Sequence, residues 1–174
     1  MILKGLKKNA LKKNVEAQIK KNESSTSGIT EFKTLAILID ASQPINIVSL
    51  IKLANELGVD SDNLKIMGYK EDQKEIIDDK DASYYNPKNF TVNGSIKGSF
   101  LQDFIKKDYD ILINFYEKDS LELNYIAAAS NAKFKIGSAS IDQRINDLVI
   151  GVPINDTSLF IFELKKYLKI LQFI

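Results

Sequence analysis

Two short runs constrain this chain more than anything else in it. "TLAILID" at 34–40 and "DILINFY" at 110–116 are apolar at nearly every position between their polar ends. A strand with one face in water alternates apolar and polar residues, whereas a strand covered on both faces does not. Both runs are therefore predicted as central strands of a parallel sheet with helices on its two sides.

The segments around them keep the same alternation. "ASQPINIVSLIKLANELG" (41–58) repeats Ile47, Leu50, Ile51, Ala54 and Leu57 at helical spacing and stops at Gly58, and "NLKIMGY" (63–69) is the next strand. "SFLQDFIKKDY" (99–109) and "SLELNYIAAASNA" (120–132) read as helices, "KFKIGSA" (133–139) and "DLVIGVP" (147–153) as strands, and "SLFIFELKKYLKILQF" (158–173) as a closing apolar helix. The acidic stretch 70–89 has no clear period and is predicted as a short helix or loop along an edge, and 90–96 as a short strand or turn. With 44% hydrophobic residues in 174, the chain can fill one sizeable core. The expected fold is α/β, a three-layer Rossmann-like, mostly parallel sheet of about five or six strands. A basic N-terminal helical extension precedes it, so the division is an arm and joint over 1–28 and a single domain over 29–174.

Charge is distributed unevenly. The first 22 residues carry Lys4, Lys7, Lys8, Lys12, Lys13, Lys20 and Lys21 against the single acid Glu16, while the whole chain has 24 bases and 23 acids. The remainder is therefore net acidic. Along this segment Leu3, Leu6, Ala10 and Ala17 share one side of a helix, and Leu11, Val15 and Ile19 form a separate i, i+4, i+8 row. Without one continuous apolar face the pattern argues against a bilayer partner. It predicts an arm too poorly amphipathic to hold a helix alone, ordered by a partner and followed by a flexible joint over 22–28.

The chain has no histidine and no cysteine, which excludes imidazole proton transfer, thiolate chemistry, disulfides and zinc sites of the usual kind. Arg144 is the only arginine, so forked recognition of phosphate or carboxylate is nearly unavailable. In an open parallel sheet the ligand crevice lies beyond the carboxyl ends of the strands, where strand order reverses. The loops expected there contribute Asp40, Ser42, Asn114, Glu117, Ser138, Ser140 and Arg144. Several of these double as helix-cap candidates: Ser42 and Asn46 for one helix, with Asp119 or Ser120 and Asp156 or Thr157 for two others. The turn after the first strand lacks glycine, so neither dinucleotide nor P-loop phosphate cradle can form there. "DDKD" (78–81) lacks the spaced ligands of a calcium loop and reads as solvated acid. Tyr84, Tyr85 and Phe90 read as packing or turn residues rather than as base-stacking ones. No catalytic residue, metal site or cofactor is expected.

One stretch, "YDILINFYEKDSLELNYIAAASNAKFKIG" (109–137), resembles the N-terminal half of heptosyltransferase-type glycosyltransferases. The likeness rests on a Tyr-Asp-apolar strand, a polar loop, an Ala-rich helix and an Ala-Lys-x-x-Ile-Gly strand. Where that family commonly has an acid after the strand and a glycine soon after, this chain has Asn114, Phe115, Tyr116 and Glu117. The resemblance implies a Rossmann-like sheet but not the activity, which needs two domains closing on a nucleotide-sugar. As a whole the chain resembles an uncharacterised family of small bacterial α/β proteins.

The functional expectation is a non-catalytic, cytoplasmic protein associated with structured RNA or the ribosome. Its seven N-terminal lysines would neutralise phosphates without reading bases. Two alternatives stand beside it: an adaptor docking another protein through the basic arm or the apolar C-terminal helix, and a domain binding a small molecule or sugar nucleotide in the sheet crevice. No run is long and apolar enough to span a membrane.

Overall fold

The computed structural model describes residues 2–22, 32–72 and 80–174. Its strands are β1 (Leu35–Asp40), β2 (Leu64–Tyr69), β3 (Ala82–Tyr85), β4 (Ile111–Phe115), β5 (Phe134–Ser138) and β6 (Leu148–Ile150). The helices are α1 (Ile2–Asn22), α2 (Ile47–Glu56), α3 (Ser99–Lys106), α4 (Leu121–Ala129) and α5 (Thr157–Ile170). The six strands form one sheet in the order β3-β2-β1-β4-β5-β6, and every pairing is parallel. This is the expected α/β, Rossmann-like architecture, with the two apolar runs side by side at its centre: Leu35 is in register with both Leu64 and Ile111.

Strand alternation sorts the core into two halves. Leu35, Ile37, Ile39, Ile111, Ile113 and Phe115 face α2 and α5, where Leu50, Leu53, Phe160 and Leu164 meet them. Ala36, Leu38, Met67 and Leu112 face the other way, onto Leu101 and Phe104 of α3 and Leu123, Ile126 and Ala127 of α4. The helices begin where short polar side chains accept their first free amides: Asn46 caps α2, Ser120 caps α4 and Asp156 caps α5.

β3 was not expected. It lies within the acidic stretch that shows no period, and it is a four-residue edge strand pairing Ile66 with Ala82 and Tyr69 with Tyr85. β2 accommodates it with Gly68, where a Cβ would come within 2.6 Å of the Tyr84 ring. The segment 90–96 closes through an antiparallel bridge between Phe90 and Ile96. The predicted joint over 22–28 lies, apart from Asn22, outside the described residues, as do 73–79 of the acidic stretch and half of "DDKD".

The largest difference from expectation concerns α1. Rather than waiting for a partner outside the chain, it packs against α4 as a further layer. The row Leu11, Val15 and Ile19 is 1%, 4% and 2% exposed and belongs to the same core as α4. The reason is in α4, where Leu123 through Ala128 are all buried. A helix with so little polar surface needs cover on more than one side, and the sheet covers only one. Polar contacts clamp α1 on both flanks. Asn14 donates to the Gly94 carbonyl at 3.1 Å, and on the opposite side Arg144 forks onto Glu16 at 3.0 and 2.8 Å. Gly94 sits at φ 78°, and a Cβ there would approach the Asn14 amide to 2.6 Å. At the far end Asn22 donates to the Ala128 carbonyl at 2.8 Å, an oxygen that also accepts from the Lys135 ammonium at 3.1 Å. Burial lowers the Lys135 pKa to about 8 against the opposing pull of Asp147.

The start of β1 is tied to β4 through Asp110. Its Oδ2 accepts from the Lys33 and Thr34 amides and the Thr34 hydroxyl, each at 2.9 Å, and its Oδ1 from the Lys133 ammonium at 2.8 Å. Burial alone would raise this carboxyl; the Lys133 ammonium and the backbone and hydroxyl donors outweigh it and hold the pKa at about 2.

Two outcomes follow from these contacts. Ile19→Ala, which opens the α1–α4 seam, is expected to lower the unfolding free energy by about 2–4 kcal/mol in a denaturant titration; a loss below roughly 0.5 kcal/mol, the surface range, would mean that the seam does not hold α1. Because the Asp110 pKa is depressed, its contribution is complete above about pH 4 and is lost as pH falls toward 2. Asp110→Asn should therefore lower stability at neutral pH and flatten the decline across that window in thermal melts.

Candidate functional site

Chain order reverses between β1 and β4. From β1 the chain leaves through α2 on one face of the sheet, and from β4 through α4 on the other, so the two loops part at the strand ends. A crevice of about 690 Å³ opens there on the α2/α5 side. Its apolar wall is Pro44, Ile45, Leu50, Phe115 and Ile154, and its polar groups come from Asp40, Asn46, Ser49, Glu117, Lys118 and Thr157.

Each polar group is placed by local structure. Asp40 ends β1, is 5% exposed, and is oriented by the Ser42 amide, which donates to Oδ1 at 3.0 Å. Asn46 turns its oxygen inward to cap α2 at the Ser49 amide, 3.2 Å away. Glu117 follows β4 and accepts from the Asn155 amide at 3.4 Å, linking the β4 loop to the segment that enters α5. Thr157 donates its hydroxyl to the Ile154 carbonyl at 2.9 Å. Lys118 pairs with Glu71 at 3.0 Å, a hydrogen bond that raises its pKa.

The charge of the crevice is thus set by Asp40 and Glu117. Its one lysine is engaged by an acid outside the lining, and the helix N-termini of α2 and α5 are already capped by Asn46 and Asp156. Such a site offers acceptors to hydroxyl or ammonium groups and an apolar wall to a carbon skeleton; a phosphate would meet two carboxylates.

Of the seven residues expected at the crevice, the structure brings two together there, Asp40 and Glu117. Ser42 stands outside it, accepting from the Glu71 amide at 3.0 Å and so fastening neighbouring loops. Asn114 is fully buried on the α4 side, donating to the Asn146 oxygen at 2.7 Å; its own carbonyl oxygen and the Asn146 amide nitrogen have no hydrogen-bond partner. Ser138 is buried and accepts from the Ser140 amide at 3.0 Å, a turn that needs no ligand. Arg144 is committed to Asp142 and Glu16. Asn114 misses the crevice because alternation along β4 sends it to the opposite face from Phe115.

In the sequence Asn46 and Thr157 stand out only as helix-cap candidates, and Ser49 and Lys118 do not stand out at all. The available signal was position: α2 and α5 both start at the carboxyl edge of the sheet and lie on one face. The lysines of α1 divide as well. Lys7 donates to the Pro87 carbonyl and lies 5.9 Å from the Phe90 ring centre, and partial burial lowers its pKa. Lys4, Lys8, Lys12, Lys13, Lys20 and Lys21 are exposed. In α5, Phe160, Leu164 and Leu168 are core residues while Leu159, Phe162 and Ile170 face out. Among the described residues no helix is long and apolar enough to cross a membrane.

Compared with known proteins, residues 7–171 match the model of one family, described as a family of unknown function (DUF6913). No curated protein and no solved structure matches the chain, and the heptosyltransferase likeness of 109–137 finds no support there. Within the crevice, Asn46→Ala removes the α2 cap and is expected to cost about 1 kcal/mol in chemical denaturation, with amide shift changes confined to the start of α2 and the residues facing it; an unchanged midpoint would show that the cap does not support the wall.

Proposed function

Since the chain belongs to the DUF6913 family, which carries no assigned activity, we propose from its geometry that it is a binding protein for a small polar molecule held in the crevice between β1 and β4. What supports this reading is that a cavity of about 690 Å³ coincides with the reversal of strand order, the place where open parallel sheets bind ligands. Asp40 and Glu117 accept hydroxyl or ammonium donors of the ligand, Ser49 and Asn46 supply further polar contacts, and Leu50, Phe115 and Ile154 cover its carbon skeleton.

Anchoring on RNA through an arm that folds onto phosphates requires that arm to be free. Docking of α1 through Leu11, Val15 and Ile19 removes that premise and leaves the exposed lysines as a fixed surface.

A nuclear magnetic resonance screen of the isotope-labelled protein against a fragment set containing amines, polyols and phosphates tests the crevice. Amines and polyols are expected to shift the amides of Asn46, Ser49, Glu117 and Thr157, with the shifts abolished in Asp40→Asn/Glu117→Gln. Phosphates binding best, or fragments clustering elsewhere, would overturn the reading.

A further inference from the structure

The two apolar rows of α1 have different fates, and among the described residues the second is left largely exposed. With Leu11, Val15 and Ile19 against α4, the row Leu3, Leu6, Ala10 turns outward, joined by Ile2. Ile2, Leu3 and Leu6 are 81%, 66% and 52% exposed. Beside them the turn over 91–95, drawn to α1 by the Asn14–Gly94 bond, presents Val92 at 46% exposure, and Leu6, Ala10 and Val92 share one shallow groove. The two segments that make this surface, 2–13 and 86–98, contain Lys4, Lys7, Lys8, Lys12, Lys13, Lys88 and Lys97 and no acidic residue. All of these lysines but Lys7 are exposed.

We propose that this end of the molecule docks on an anionic lipid surface, with Ile2, Leu3, Leu6 and Val92 entering the boundary of the acyl chains and the surrounding lysines meeting headgroup phosphates. Charge complementarity chooses the occupant. A polyphosphate backbone would satisfy the lysines and leave four large apolar side chains in water. A bilayer bearing acidic lipids supplies both an apolar interior and a layer of negative charge at the height of the lysines, whose stems allow them to reach it. The mode is peripheral, since α1 lies along α4 and inserts only its tip and the adjacent turn. It is independent of any ligand in the crevice, which opens on the opposite face of the sheet.

The full-length protein is floated with vesicles of phosphatidylcholine alone and with one-third phosphatidylglycerol, beside two variants: Leu3→Gln/Leu6→Gln/Val92→Ser and Lys13→Gln/Lys88→Gln/Lys97→Gln. All six positions are exposed, so thermal melts should match wild type and separate binding from folding. The expected result is binding to the anionic vesicles only, weakened about tenfold or more in each variant. A wild-type protein that floats with neither vesicle overturns the proposal, as does an apolar variant that binds as wild type does. Binding to a structured RNA hairpin that survives in the apolar variant but not in the lysine variant, with no vesicle binding, would assign the surface to RNA instead.

Discussion

The contact on which most of this structure depends is the seam between α1 and α4. The sheet covers α4 on one side, and six consecutive residues of that helix are buried. Without Leu11, Val15 and Ile19 above it, α4 would present Tyr125 and its alanines to water. The hydrophobic gain of closing that face outweighs the entropy of ordering a 21-residue helix, which would be marginal on its own. Specificity comes from the flanks, where Asn14 on one side and Glu16 on the other fix the rotation of α1 about its axis.

The same placement explains where a ligand can go. On the α1 side the molecule is filled: the carboxyl end of β4 is occupied by Asn114 against Asn146 and by Tyr116, whose hydroxyl donates to Asn124 at 3.0 Å. On the α2/α5 side, the loops that lead into the two helices leave the space that Asp40 and Glu117 overlook. Helices on opposite faces of one sheet thus separate a structural side from an open one.

The central sheet was legible because burial on both faces leaves a direct mark in sequence, and "TLAILID" and "DILINFY" carry it. β3 was not legible, since a short half-exposed edge strand such as "ASYY" has little room for a period and stands among acids. Asp40 and Glu117 are legible because one ends a central strand and the other follows one; Asn114 is not, because its place near the strand end does not tell the face to which alternation assigns it. The rotation between two apolar rows in α1 was visible as well. By itself it reads as poor amphipathicity, whereas a helix docked on one side and apolar at its tip on the other produces that pattern. The decisive clue lay far away in sequence, in the missing polar face of 121–129.

In this structure α1 is a layer of the fold rather than an appended arm. Native-state hydrogen exchange of the full-length protein tests it most directly, by comparing the opening free energies of amides around Leu11, Val15 and Ile19 with those of α4 and the central strands. The amides of α1 from Leu11 to Ile19 and those of α4 are expected to open together, within about 1 kcal/mol of one another. Amides of α1 that exchange at the rate of an unstructured peptide while α4 stays protected would contradict it.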